Sequence, residues 1–280
     1  MEKAIKKYFP IFLLPTMIAF AIGFIVPFVY GIFLSFCKFT TVTDWKWKGL
    51  QNYSRIFFVN GKLDTTFIHS LWYTALFTVV SVLIINVISF LIAMALTKGI
   101  RGTNLFRTVF FLPNLIGGIV LGYVWQFVFN NVLIKMTNNI SLLSKTNTAM
   151  MAIIVVYIWQ YAGYIMLIYV TGLTQVPKDV LEASQIDGAN AVTTLFKIKI
   201  PMIAATITIC TFLTLTSAFK QFDVNMALTN GTGSVTSFFG NYLTNGTQML
   251  ALNIYNTAIG KNQYALGQTK AVIFFIILAI

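Results

Sequence analysis

Four residues with polar tips recur on one helical face: Tyr157, Gln160, Tyr161 and Tyr164, at spacings i, i+3, i+4 and i+7. They stand near the middle of residues 146–177, a run without a charged side chain. Polar tips at that depth must find partners in protein, water or a solute, because lipid supplies none. Tyrosine rings can stack on the apolar faces of sugar rings, while hydroxyl and amide groups bond sugar hydroxyls. Helix–helix packing with paired hydroxyls uses the same spacing, and spacing alone leaves both readings open.

Bond-breaking chemistry has little to work with. The acidic residues are Glu2, Asp44, Asp64, Asp179, Glu182, Asp187 and Asp223, and none lies in the middle of a charge-free run. That weakens a proton-coupled carrier, which places a carboxylate or histidine there. No phosphate cradle of the form GxxxxGK[ST] occurs; Gly61-Lys62 lacks the upstream glycine and the following Ser or Thr. Neither a GxSxG elbow nor an HExxH pair is present. His69 is the one histidine, and Cys37 and Cys210 are the two cysteines, so no metal cluster and no disulfide framework is expected. The chain is not expected to be an enzyme, and energy for uphill movement must come from a partner.

The elements that would carry the stripe follow from composition. Of 280 residues, 58% are apolar and 9% charged, with a mean hydropathy of +0.81. A soluble domain has about 45–50% and about 25%. The charge-free runs are 8–37, 66–97, 108–134, 146–177 and 200–219. Each is about long enough to cross ~30 Å of hydrocarbon as a helix. The expectation is one all-α membrane domain over 1–280, with spans at 9–37, 68–97, 104–131, 147–174 and 200–222, and a sixth at 263–280. The last run stops while still apolar, so a truncated C-terminus is expected. The 26 Phe, 12 Tyr and 5 Trp suit a lipid-facing surface with interfacial aromatics.

Residues 224–260 also lack charge but are rich in Asn and Gly, and such backbone is poorly satisfied in lipid. They are read as part of a polar extracytoplasmic segment, 223–262. Leu-Thr-Asn-Gly occurs there twice, at Leu228–Gly231 and Leu243–Gly246, read as a pair of similar turns.

The net charge of +12 does not call for nucleic acid, because the Lys and Arg flank the apolar runs. With the amino terminus inside, nine cations fall in inner segments and ten in outer ones, so the count does not orient the chain. Density does: Lys98, Arg101 and Arg107 crowd one short loop, and short loops carry the positive-inside signal. The amino terminus is therefore taken as cytoplasmic.

Between the fourth and fifth runs comes Val176-Pro177-Lys178-Asp179-Val180-Leu181-Glu182-Ala183-Ser184-Gln185-Ile186-Asp187-Gly188-Ala189, continuing to Phe196-Lys197-Ile198-Lys199-Ile200-Pro201. Pro177 suits a helix start, where its missing N–H costs nothing. Lys178 to Asp187 can form a short amphipathic helix with Leu181 and Ile186 apolar, and Gly188 permits a sharp turn into a second helix. The segment resembles the EAA loop of importer permeases of the ATP-binding cassette superfamily. Glu182, Ala183, Gly188, Ile198 and Pro201 fall at that motif's spacing, with Ser184 and Ile200 as mild departures. Leu14-Pro15, Asn52-Tyr53 with Phe57, Arg107-Thr108 before Phe111-Leu112-Pro113, Trp159 with Gly163, and Leu228–Gly231 are similar to the carbohydrate-importer branch, nearest its maltose-type first permease subunit.

The resemblance implies a type I importer permease fold of six transmembrane helices in the bacterial cytoplasmic membrane. Its coupling loop, 177–201, would be cytoplasmic and would dock an ATPase through Glu182, Ala183, Ser184, Asp187, Gly188, Ala189, Ile198 and Pro201. It implies a substrate path along Tyr157, Gln160, Tyr161 and Tyr164, joined by Asn114, Gly118, Ser217 and Gln221. The implied partners are a second homologous permease, two ATP-binding cassette ATPase subunits, an extracytoplasmic sugar-binding protein and membrane lipid. ATP and Mg would sit on the ATPase subunits, with no cofactor or metal on this chain. The implied function is ATP-driven carbohydrate import, of an oligosaccharide, by alternating access. The alternatives are glycerol phosphate or another polar solute as cargo, or a stand-alone secondary carrier.

Overall fold

The computed structural model describes residues 2–59, 62–63, 65–137, 141–144, 146–231 and 246–279. Two compact units emerge: Met1–Asp64 with Ile254–Ile280, and Thr65–Asn253.

The first unit opens with α1 (Glu2–Phe20), a π-helical turn (Ala21–Ile25) and α2 (Val26–Ser35). Ile11–Ser35 is long and apolar enough to cross a membrane, and only 6% of its most apolar window is buried. An apolar helix exposed all round needs lipid or another chain. Two short hairpins follow, which the charge pattern does not announce. Strands β1 (Cys37–Thr41) and β2 (Asp44–Trp47) pair antiparallel. After α3 (Gln51–Phe57), β3 (Phe58–Val59) pairs with β4 (Lys62–Leu63). The buried Asn52 amide ties α3 to the end of α2, donating to the carbonyls of Ser35 (2.9 Å) and Cys37 (2.8 Å). The last helix of the chain, Tyr264–Ala279, packs on this frame: Thr269 donates to the Ser35 carbonyl (3.0 Å) and Gln268 to that of Gly31 (3.1 Å). Lys270 is buried on the same helix, its ammonium 2.9 Å from the Thr257 hydroxyl.

The second unit is built on α4 (Thr65–Leu96). Its buried positions Ser70, Thr74, Phe77, Thr78, Ser81, Ile85, Ser89, Ala93 and Leu96 recur every three to four residues, giving one buried face. Next come α5 (Thr103–Leu115), α6 (Gly118–Phe127), a π turn (Val128–Val132), α7 (Leu133–Thr137), a 3-10 turn (Leu142–Ser144) and α8 (Thr146–Thr174). The unit ends with α9 (Lys178–Ile186), α10 (Ala191–Thr194), a π turn (Leu195–Lys199), α11 (Ile200–Met202), α12 (Ala204–Phe219), α13 (Asp223–Leu228) and the first turn of α14 (Leu250–Tyr255). From α14 the chain passes through a π turn (Asn256–Gly260) into α15, the closing helix Tyr264–Ala279 of the first unit.

The core lies where α4, α8 and α12 meet, around Phe77, Ile85, Ile153, Val156, Ile165, Met166 and Cys210. One polar network links all three: the Tyr169 hydroxyl donates to Asn86 Oδ1 (2.8 Å), and Asn86 Nδ2 donates to Thr214 (3.4 Å). Ser89 donates to the Ala162 carbonyl on α8 (2.7 Å). Close packing of α5 on α8 depends on Gly163, where a Cβ would run into the Phe110 carbonyl.

Two of the expected spans are not single straight helices. Residues 104–131 divide into α5 and α6 at Ile116-Gly117. Pro113 lacks the N–H that would bond the carbonyl one turn back, and the Gly117-Gly118 pair favours leaving the helix. Ile116 is accordingly extended, at φ −81°, ψ 128°. The region from 200 to 222 bends as well: Ala191–Met202 and Ala204–Phe219 meet at 72° at Ile203. Part of the 223–262 segment is packed. Val224, Asn225, Ala227 and Leu228 are buried, as are Met249, Leu250 and Leu252.

Candidate functional site

The stripe on α8 is placed unevenly. Tyr157 is fully buried, its ring between Phe77 (centroids 5.1 Å apart) and Tyr161 (4.5 Å). Among the described residues its hydroxyl has no hydrogen-bond partner. Tyr161 and Tyr164 are half-buried, their inner faces against the core. Gln160 is 6% exposed and donates to the Ile116 carbonyl at 3.3 Å. That carbonyl is one the helix break leaves without an intrahelical partner. The stripe and the broken α5–α6 pair thus form one construction.

Asn114 is half-buried on the last turn of α5, and Gly118 opens α6 against the Cβ of Asp223. On the far side, Ser217 is half-buried near the end of α12. Gln221 is 6% exposed, and its amide nitrogen has no partner among the described residues. Asp223 was not among the residues expected here. It is exposed, touches Gly118, and lies close enough to Tyr161 for the two to interact electrostatically.

The second place of interest is the 177–201 segment. Pro177 precedes α9 in an extended conformation, φ −60°, ψ 136°. The helix ends in a Schellman turn. The Ala189 N–H bonds the Ser184 carbonyl (2.9 Å), and the Gly188 N–H bonds that of Gln185 (3.1 Å). Gly188 takes φ +79°, a left-handed conformation that strains a residue with a Cβ. Asn190 then caps α10, its Oδ1 accepting from the Thr193 N–H (2.8 Å).

The burial pattern of this knob is informative. Ser184 is buried and bonds the Leu181 carbonyl (2.7 Å), and Leu181 packs on the core. Glu182, Ala183, Asp187, Gly188 and Pro201 are exposed, with Ala189 and Ile198 half-buried. Leu181 thus faces inward, whereas Ile186, equally apolar, is 87% exposed, and Val192 and Phe196 are more than 60% exposed. The helix–turn–helix thus leaves large apolar side chains uncovered by this chain, a surface suited to lipid or to another chain.

A third feature escaped sequence reasoning. The buried Asn225 amide donates to the Thr247 carbonyl (2.7 Å), and its oxygen accepts from the Met249 N–H (3.4 Å). The Leu250 N–H bonds the Thr74 hydroxyl on α4 (2.8 Å), and the His69 imidazole Nε2 lies 3.1 Å from the Gly246 carbonyl. Gln126 donates to Asn230 (2.9 Å), holding the Leu228–Gly231 turn against α6. Most of the second Leu-Thr-Asn-Gly copy, residues 243–245, lies outside the described residues. No group of three or more His, Cys, Asp and Glu that could hold a metal ion occurs among the described residues.

Comparison with known proteins agrees with this architecture. A protein of Thermoanaerobacterium thermosulfurigenes, named as a probable starch degradation products transport system permease protein, is 37% identical over 276 residues. That match covers 96% of this chain and 89% of the relative. A multiple sugar-binding transport system permease protein of Streptococcus mutans is 30% identical and covers 100% of this chain and 94% of the relative. A chain in the crystal structure of a bacterial alginate ABC transporter, in complex with an alginate pentasaccharide-bound periplasmic protein, superposes with a TM-score of 0.78. It shares 19% identity, over 100% of this chain and 93% of that one. Residues 85–280 match the family described as the binding-protein-dependent transport system inner membrane component. The chain is therefore a multi-pass membrane protein and a transport permease of that family.

Proposed function

We propose that this chain is one membrane-spanning subunit of an ATP-driven importer for carbohydrate, of oligosaccharide size, in the bacterial cytoplasmic membrane. The observation that carries the proposal is the 177–201 knob. Its inner side is fixed by Leu181 and Ser184, while Ile186, Val192 and Phe196 stand uncovered. An ATP-binding cassette ATPase covers them, with ATP and Mg held on that subunit. Glu182, Ala183, Asp187, Gly188 and Pro201 form the contact face, and Ser184, Ala189 and Ile198 shape it from within. Both termini and the knob are then cytoplasmic.

The substrate path runs beside the α5–α6 break. Discontinuous helices near the membrane midplane are a recurring way to expose backbone and polar tips to a solute. Tyr161 and Tyr164 offer rings, Gln160, Asn114 and Gln221 offer amides, and Ser217 a hydroxyl, while Gly118 lets Asp223 approach α6 closely. Tyr157 supports the wall from inside. A second, similar permease completes the path, and an extracytoplasmic sugar-binding protein delivers the cargo. The starch-product and multiple-sugar names of the relatives support a neutral sugar, and the complex of the alginate transporter with its periplasmic protein supports the delivery step.

The test is co-expression with candidate ATPase, permease and binding-protein subunits, followed by purification and radiolabelled uptake. The expected result is co-purification of the ATPase and ATP-dependent uptake of a maltooligosaccharide or arabinooligosaccharide. Uptake of glycerol phosphate in place of sugar would reassign the cargo. Uptake by this chain alone, without an ATPase, would replace the importer with a stand-alone carrier.

A further inference from the structure

We propose that the β1–β2 hairpin is a lipid anchor, holding Lys38, Lys46 and Lys48 among the anionic phospholipid headgroups of the leaflet in which the first span ends. The span closes at Ser35, and β1 starts two residues later. The hairpin does not stand away from the membrane. The Tyr30 hydroxyl, inside the span, donates to the carbonyl of Val42 in the hairpin turn at 2.6 Å. Tyr30 lies about one and a half helical turns before Ser35, which brings the turn back along the helix by roughly 7 Å. The tip is thus fixed at the depth of the headgroups.

Side-chain alternation sorts the hairpin into two faces. The register sets Cys37 opposite Trp47 and Phe39 opposite Trp45. Trp45 meets Phe33 edge-on (4.9 Å), and Trp47 lies nearly parallel to Phe36 (5.6 Å). On the opposite face Lys38 stands directly across from Lys46, and both are exposed. Like charges so paired destabilise two strands. With Lys48 and Arg55, residues 37–57 carry four cations against the single acid Asp44. Phosphodiesters between the lysines reverse that repulsion. The partly exposed indoles of Trp45 and Trp47 occupy the interfacial depth that tryptophan favours. An acidic protein surface would answer the charge but would leave the depth set by the Tyr30–Val42 bond without a reason.

The experiment uses the assembled transporter in bilayers, with bimane attached at Thr43→Cys; both native thiols are buried. Nitroxide-labelled phosphatidylglycerol or phosphatidylcholine serves as quencher. Phosphatidylglycerol should quench at lower mole fraction, and Lys38→Gln with Lys46→Gln should erode that preference by about fivefold per lysine. Lys38→Arg with Lys46→Arg should retain it. Absence of quenching by either lipid, or an unchanged preference in the Gln variant, would overturn the proposal. So would a Gln variant that keeps its lipid preference and instead loses affinity for the extracytoplasmic binding protein.

Discussion

The side-chain amide of Gln160 donates to the backbone carbonyl of Ile116 across 3.3 Å, so a residue of one helix completes the hydrogen bonding of a gap in another. This makes the α5–α6 break a built feature, since an open carbonyl inside a membrane helix is costly.

Gln160→Leu keeps the volume and removes the donor. It should cost about 1–3 kcal/mol of stability through the unpartnered carbonyl. It should also lower sugar uptake while leaving ATPase association intact. A thermal unfolding scan of the purified complex, read beside uptake, checks both parts.

Tyr161→Ala and Tyr164→Ala should reduce uptake or shift preference among oligosaccharides, because each removes an aromatic face at the path. Base-line assembly should persist, as both residues are only half-buried. Competition of unlabelled sugars against a labelled one reports the shift. Full uptake with both rings removed would exclude them from the path.

Gly188→Val places a β-branched side chain at φ +79°. The left-handed conformation costs roughly 1–2 kcal/mol for a residue with a Cβ, so the Schellman turn opens and the knob loses its shape. Pull-down with the ATPase subunit should fall, whereas the detergent-solubilised permease stays monodisperse. Glu182→Lys, which reverses charge on the exposed face without touching the turn, should uncouple ATP hydrolysis from uptake.

Asn225→Ala removes the bonds to Thr247 and Met249 from a fully buried site. A loss of about 2–4 kcal/mol is expected from two unmet buried groups. Limited proteolysis near residue 246 should accelerate, while the α9 knob remains resistant.

How far each feature could be read in advance depends on how local its cause is. The α9 knob was legible because Pro177, Gly188 and the positions of Leu181 and Ile186 all act within a dozen residues. The helical spacing of the stripe was plain in the sequence, but spacing alone did not separate Tyr157 and Gln160, which are buried, from the half-buried Tyr161 and Tyr164. The α5–α6 break was signalled by Pro113 and Gly117-Gly118, but a ruler based on absence of charge runs straight through a break that carries none. The first hairpin was hidden because β1 and β2 are only five and four residues long. The packing of the Asn-rich segment was not legible. Asn225 looks like a turn former until its amide is matched with backbone 22 residues later, and the Thr74 and His69 partners are 176 and 177 residues distant. No window of sequence contains such a pair.

The bond between Thr74 and the Leu250 N–H also has a consequence for biosynthesis. The helix carrying Thr74 enters the membrane 176 residues before its partner is made. At about 5–20 residues per second, that is a wait of roughly 10–35 s. Throughout it, the Thr74 hydroxyl is held within its own helix, donating to the Ser70 carbonyl one turn back (2.7 Å). The helix thus carries a pre-oriented acceptor into the membrane, and the pair closes only when the Leu250 N–H is made.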